Sequence, residues 1–378
     1  MTPIKATREQ LRDHNRRLVL RMLYQDEVNT RAALAAVTGL TKPTISNLVG
    51  ELIDEGLVVE EGLGRASGSG GKRPTLLAFN PRARHLIGVA LSGERVSAVL
   101  TDLAGESSAV HVLDLRGTGE EAVLSAVQSV VAALLPQLDA PLLAVGVAVP
   151  GRVRPGTGVV RRSAVLNLND SPLAELLTTR LAVPVHVGNL AELCALGQHS
   201  FGPQSNAQTG TLVTLILDED LELGVVLHPS GAHFGSELSG PMIDELRLGW
   251  TAFKLRAAEL SGESHSTLPG GGGLRYLHVR SAEERGDATA RQLVLELAAG
   301  LARPLAWIVS LLQPTQVSLA GGVTDLGEVF LQRLAAEAGL LLGQGALDDL
   351  ELTLAYSNRL GAMGAVALAN LTELGLVA

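Results

Sequence analysis

Cysteine is almost missing from this chain: Cys194 is the only one in 378 residues. A lone thiol excludes an internal disulfide and every zinc site built on several cysteines, and it fits a reducing compartment. Aromatic residues are scarce too, at 3%, so a nucleic-acid surface made of stacking rings is not expected. The N-terminus mixes acidic and basic residues without a continuous apolar segment, and no run reaches the ~18 consecutive apolar residues that suggest a membrane span. Neither export nor a membrane is indicated, and the expected address is the cytoplasm. What the chain does have is a 46% apolar share, mostly Ala, Leu and Val, enough for two or three domains to bury a core each.

A general excess of positive charge is also lacking, since the net charge is −9. The average hides a gradient. Residues 1–80 carry 11 Lys and Arg against 9 Asp and Glu, a balance of +2, which leaves −11 for the remainder. Phosphate contacts depend on where individual cations sit, so the front segment can still serve nucleic acid.

Between Asn15 and Tyr24, Leu18, Val19, Met22 and Leu23 recur at helical spacing with Arg16, Arg17 and Arg21 on the other side. Thr30 stands where an N-cap would, ahead of a short helix from Arg31 to Val37 closed by Gly39. Thr41 caps the next helix, Pro43 sits in its first turn, and Ile45, Leu48, Val49, Leu52 and Ile53 form its buried stripe, up to Gly56. Two helices joined by a tight Gly-Leu-Thr turn form the arrangement whose second helix enters the DNA major groove. Lys42, Thr44, Ser46 and Asn47 are its exposed polar candidates, with Asn47 suited to an adenine edge. Thr30, Arg31, Thr41 and Pro43 complete the predicted contact region. The bland reading stands beside this one, because Thr, Ser and Asn at a helix start also serve as caps.

After Gly56, LVVEE and PTLLAF read as two strands around the glycine-rich tip GLGRASGSGGKR. Such a β-ribbon, carrying Arg65, Lys72 and Arg73, suits a wing along the DNA backbone or in the minor groove. From Leu86 onward the texture changes to LIGVALSG, RVSAVLTDLAGE, LLAVGVAVPG and VPVHVGN, alternating with Ala/Leu-rich helical stretches. A second series follows with TGTLVTLILDED and LELGVVLHP, helices around 242–262 and 285–312, the strand VSLAGGV and a final helix at 359–373. Repetition of one α/β pattern predicts two similar lobes with a cleft between them. Gly88, Gly93, Gly146, Gly151, Gly224, Gly321 and Gly322, read as strand-end glycines, are expected to line it.

The winged helix followed by IGVALSGERVSAVLTDLAGE, AVGVAVPGRV, VPVHVGNLAELCALGQHSFG, SLAGGV and LGAMGAVALA resembles the ROK family, and within it the NagC/XylR/Mlc-like transcriptional regulators. The resemblance covers nearly the whole chain. It implies an α/β chain with an N-terminal winged helix-turn-helix domain (1–80) and a two-lobed actin/hexokinase-like ATPase fold. The lobes would be an N-terminal one (81–205) and a C-terminal one that also oligomerises (206–378). It further implies a homo-oligomer, dimer or tetramer, and an ancestral sugar site between the lobes.

The departures from that family matter as much. Its sugar kinases carry an Asn-Asp pair whose aspartate takes a proton from the sugar hydroxyl, and Asn189-Leu190 stands there instead. Leucine accepts no proton. The kinases' first phosphate loop, GxDxGGTK, has become Gly88 to Glu94. Their second, GTGxGxG, has become DEDLELG, where Asp218, Glu219, Asp220 and Glu222 would repel a triphosphate. This acidic run reads as a solvated loop rather than a cation site. Gly240 replaces the family's zinc-binding histidine, no cysteine follows Cys194, and His228, His233 and His265 lack ligand spacing. Of the sugar-contacting set, Asn189 and Glu237 match, although Asn189 also suits a turn after a strand and Glu237 a helix cap. The expectation is a DNA-binding regulator, with a palindromic double-stranded operator and a sugar effector as partners. It has no catalytic residue, cofactor or metal. The alternatives are a sugar kinase with an appended regulatory domain and a ligand-independent DNA-binding scaffold.

Overall fold

The computed structural model describes residues 7–376 apart from 27, 65–72, 203–209, 229, 239–242, 244–245, 247, 264–265, 270–272, 344 and 356. Arg65, Lys72, Gly240 and His265 therefore lie outside the described residues. The chain opens with α1 (Arg8–Tyr24), which starts earlier than the apolar spacing from Asn15 predicts. The extension comes from a capping box. Thr7 Oγ1 accepts from the Gln10 amide and Gln10 Oε1 accepts from the Thr7 amide, satisfying two otherwise orphaned donors ahead of a polar turn that has no hydrophobic period.

Helices α2 (Arg31–Thr38) and α3 (Lys42–Asp54) follow as expected. Thr30 accepts from Ala33 N and Thr41 from Thr44 N, and Gly39 adopts φ 70°, which lets the chain turn sharply between the helices. Strands β1 (Val58–Leu63) and β2 (Thr75–Phe79) pair antiparallel with a bulge between Glu60 and Gly62. The amide of Gly64 donates to Pro74 O at 2.8 Å and extends this ribbon one step towards its tip.

The first lobe contains β3 (His85–Leu91), β4 (Arg95–Asp102), β5 (Ser107–Asp114), α4 (Glu120–Leu134) and β6 (Leu142–Val149). A small antiparallel sheet of β7 (Arg152–Arg154), β8 (Val159–Ser163) and β9 (Leu168–Ser171) comes next, then α5 (Leu173–Leu181), β10 (Val185–Asn189) and α6 (Leu190–Phe201). The second lobe runs β11 (Leu212–Leu217), β12 (Leu221–Leu227), β13 (Ala232–Leu238), α7 (Trp250–Glu263), α8 (Tyr276–Glu284), α9 (Ala288–Leu312), β14 (Gln316–Ala320), α10 (Gly327–Leu342) and β15 (Glu351–Leu354). Helix α11 (Ser357–Leu374) ends the chain.

The two larger sheets are copies of one topology, ordered β10-β6-β3-β4-β5 and β15-β14-β11-β12-β13. In each, the first three strands form an antiparallel meander and the last two pair parallel beside its first strand. That repeat is the two-lobed architecture expected from the alternating pattern. Helix α9, with 25 residues, has the length and apolarity of a membrane span. Its stripe from Ala290 through Leu293, Leu297 and Leu301 to Leu305 is buried in the core of the second lobe.

Three of the glycines expected in the cleft do something else. A Cβ on Gly88, Gly146 or Gly224 would come within 1.9 Å of the carbonyl oxygen of Ala362, Ala365 or Ala191 respectively. These positions let α11 and α6 lie directly on the sheets, so they belong to packing rather than to ligand contact. Their place in mid-strand, invisible without the register, is why the strand-end reading failed for them. Gly151, Gly321 and Gly322 do follow strand ends; Gly151 meets the opposite lobe through Glu222, whereas Gly321 and Gly322 pack on Leu217, Asp218 and Tyr276 of their own lobe.

The front unit is not a loose appendage. Val19, Leu20, Leu52 and Leu57 share one buried cluster with Ala83, Leu103, Leu374 and Leu376. Arg21 donates from Nε and Nη2 to the Gly375 carbonyl at 3.3 and 3.0 Å, and Arg84 donates to Glu55 O at 3.1 Å. The end of α11 thus holds α1, and the start of the first lobe holds the end of α3.

Candidate nucleic-acid interface and interlobe cleft

Helix α3 is amphipathic in the sense a reading helix needs. Ile45, Leu48, Val49 and Leu52 are buried, which turns Lys42, Pro43, Ser46 and Asn47 outward as a continuous exposed stripe one turn apart. Thr41 and Thr44 are committed to the cap, with their hydroxyls also 2.8 Å apart, so they position the helix start, worth about 1 kcal/mol. Thr30 caps α2 in the same way. Arg31 reaches across to the ribbon and pairs with Glu60 at 3.0 Å, an engagement the sequence reading missed.

The other cations of this unit are largely paired. Arg12 binds Glu51 at 2.5 Å, Arg16 binds Glu55, and Arg17 binds Asp13 at 3.0 Å. Among the described residues of the front unit, Arg8, Arg21, Lys42 and Arg73 are exposed and carry no ion pair, and of these Arg21 is bonded to the Gly375 carbonyl. Lys42 lies on the outward stripe of α3 and Arg73 just ahead of β2, on the tip side of the ribbon. Ion pairs thus neutralise much of the positive charge on α1, and the cations left outside them are distributed over the start of α1, the outward stripe of α3 and the ribbon.

In the interlobe cleft, Asn189 ends β10 and caps α6. Its Oδ1 accepts from Glu192 N at 2.9 Å, and its Nδ2 donates to Gly151 O at 2.7 Å and to Glu222 Oε2 at 2.8 Å. Gly151 N donates to Glu222 Oε1 at 3.2 Å. Beside them His233 Nδ1 lies 2.7 Å from Glu192 Oε1. Asn189 is buried, as both a turn and a site residue would be. Glu237 lies within β13, directly across the strand pair from Glu222, a strand position where the alternative reading had a helix cap.

The expectation of a solvated acidic loop needs correction at Glu222. This residue is on β12, only 7% exposed, and burial pushes its carboxyl up to about 8. The Asn189 amide works against that rise, Glu237 and Asp218 add to it, and the Gly151 amide opposes it. The signal was available, since LELGVVL reads as a strand buried on both faces, and that places its glutamate in the interior. Asp218 opens onto the cleft but stays ringed by protein. Burial raises its carboxyl, the Gly322 amide at 2.6 Å opposes the shift, and Glu219 and Glu94 add to it. The carboxylate expected near a phosphate site, Glu94, is therefore felt there.

Leu190 is 2% exposed and sits in the first core cluster. A Cβ on Gly361 would meet its Cδ1 at 2.5 Å. Position 190 thus faces α11, with no group able to accept a proton. His228 is exposed, and no cluster of three or more metal-binding side chains occurs among the described residues.

Comparison with known proteins agrees with this geometry. The sequence matches the ROK family over residues 86–227 and 264–371 and a winged helix-turn-helix DNA-binding family over residues 12–59. It is 25% identical to the xylose repressor of Caldicellulosiruptor bescii over 350 residues, 86% of this chain and 87% of that protein. The fold superposes on a ROK family transcriptional regulator described as a homolog of the E. coli MLC protein, with a TM-score of 0.78 and 19% identity over 96% of this chain and 97% of that one. It also superposes on a ROK family glucokinase from Streptomyces griseus in complex with glucose and AMPPNP, with a TM-score of 0.61 and 21% identity over 75% of this chain and 98% of that one.

Proposed function

The chain belongs to the ROK family, and on that premise we propose that it is a DNA-binding transcriptional regulator, of repressor type, rather than a sugar kinase. The observation that carries this reading is the outward stripe of Lys42, Pro43, Ser46 and Asn47 on α3, whose other face is buried. Asn47, Ser46 and Lys42 address base edges and nearby phosphates, Thr30, Arg31, Thr41, Pro43 and Thr44 shape and flank the helix starts, and Arg65, Lys72 and Arg73 serve the wing. A relative named xylose repressor supports the regulatory role. The buried leucine at 190 supports the absence of hydroxyl activation.

A palindromic operator requires two readers, so the protein acts as a homo-oligomer in the cytoplasm, with units 1–80, 81–205 and 206–378 serving as reader, first lobe and oligomerising lobe. The second lobe leaves Trp307 and Leu311 on α9 and Leu340 and Leu341 on the adjacent α10 exposed, Leu311 and Leu340 each by 80%. Large apolar side chains exposed on neighbouring helices suit a contact between copies. The cleft, with Asn189 and Glu237, is the place for a sugar effector. One observation favours the ligand-independent scaffold as second reading: both donors of Asn189 are already used within the protein.

A gel-shift titration with genomic fragments tests the regulator, and a coupled phosphorylation assay with a hexose panel and ATP tests the kinase. Binding without turnover is expected. Turnover that disappears on changing Asn189 would reverse the assignment.

A further inference from the structure

Glu222 belongs to β12 of the second lobe, whereas both of its partners end strands of the first: Gly151 follows β6 and Asn189 closes β10. Its two carboxyl oxygens take one hydrogen of the Asn189 amide and the Gly151 N–H. The second Asn189 hydrogen goes to Gly151 O and the Asn189 oxygen is taken by Glu192 N, so no hydrogen of Asn189 is left over. A second polar tie crosses the cleft between His233 on β13 and Glu192 on α6. The lobes also touch closely here, since a Cβ on Gly235 would lie 2.4 Å from Asn189 Oδ1.

We propose that Glu222 is an internal ligand of the cleft: its carboxyl fills the polar positions that a sugar's hydroxyls would use and holds the two lobes together without any small molecule. An effector therefore has to displace this side chain, and its hydroxyl oxygens inherit the Asn189 and Gly151 donors. This rests on the reading of the cleft as the sensor's ligand site.

The groups surrounding Glu222 decide how the tie responds to pH. Glu237 stands on β13, Asp218 directly after β11 and Cys194 on α6, and the His233–Glu192 pair links those same two elements, β13 and α6. In the tied state the carboxyl keeps its proton to about pH 8, against an ordinary value of 4.5. A raised value means the tied state binds the proton more tightly than the released one. The tie is therefore fully favoured below about pH 4.5 and is weakened progressively as pH rises towards 8, by up to about tenfold per pH unit.

Hydrogen exchange on the full chain tests this at the Gly151 amide. Glu222→Ala is expected to speed its exchange by about tenfold or more, while amides of α1 to α3 keep wild-type rates. Glu222→Gln, which retains an acceptor but has no titration, should keep part of the protection. It should also lose the extra acceleration that wild type shows between about pH 6 and 8 beyond intrinsic base catalysis. Unchanged protection in Glu222→Ala overturns the proposal. Should that variant fail to fold, a wild-type pH response in Glu222→Gln overturns it equally. A wild-type protein that binds no DNA would sink the regulator reading while leaving the exchange result standing, so the two failures are distinguishable.

Discussion

Removing Lys42 should change how DNA binding responds to salt, whereas removing Arg12 and Arg16 should not. Lys42 is exposed on the outward stripe of α3 and carries no ion pair among the described residues. Arg12 and Arg16 are held by Glu51 and Glu55, so in the protein they and their partners sum to no charge. Each phosphate contact contributes about −0.9 to the slope of log affinity against log salt. With two readers on one operator, Lys42→Ala should flatten that slope by about 1.8. Between about 50 and 200 mM salt this amounts to about twelve-fold less loss of affinity than wild type shows over the same range. The assay is a fluorescence-anisotropy titration of a labelled duplex recovered from the source genome, repeated at several salt concentrations. If Arg12→Ala with Arg16→Ala flattens the slope as much as Lys42→Ala, then α1 rather than α3 faces the phosphates and the assigned reading face is wrong.

Asn47→Ala should relax base preference at one position of each half-site by about 1–3 kcal/mol, read from competition against single-base operator variants. Gly146→Ala should destabilise the protein by about 1–3 kcal/mol or more, because its Cβ would overlap the Ala365 carbonyl. In contrast, Gly50→Ala, in an α-helix with nothing within 4 Å, should add about 0.5–1 kcal/mol. Urea midpoints compare the two. Asp287 caps α9 by accepting from Ala290 N and is also bonded by Thr267 and Ser266. Burial works to raise its carboxyl, but these bonds outweigh it and the group sits at about 2 instead of 3.8. A lowered value gives stability present above pH 3.8 and lost as pH falls towards 2. Asp287→Ala should therefore cost about 1–2 kcal/mol at neutral pH, with the difference from wild type vanishing below about pH 2. A deficit that persists in acid would refute the linkage.

Much of the reader was legible because its signals are local. Thr30, Gly39, Thr41 and Pro43 each act within four residues of themselves, so caps and turn followed directly from residue type. The repeated α/β pattern likewise disclosed two lobes. The start of α1 was hidden because a capping box, not hydrophobic period, extends it to Arg8. The small sheet β7–β9 and helix α10 also escaped the coarse pattern. The cleft was legible only in part. Asn189 was found, but its saturation by Gly151, Glu192 and Glu222 depends on residues 38, 3 and 33 positions away. The same holds for Arg31, whose partner Glu60 arrives through the fold of the ribbon, and for Gly88 and Gly146, whose role appears only once α11 is laid across the sheet.

The most direct measurement is selection of genomic fragments bound by the full-length protein, followed by base-resolution footprinting of the recovered sites. The expected result is an inverted repeat with half-sites about 10 base pairs, or a multiple of that, apart, whose protection is lost at specific bases in Asn47→Ala. Fragments without a common sequence, or a footprint unchanged by substitution of Lys42 and Asn47, would contradict the assignment of α3 as the reading helix.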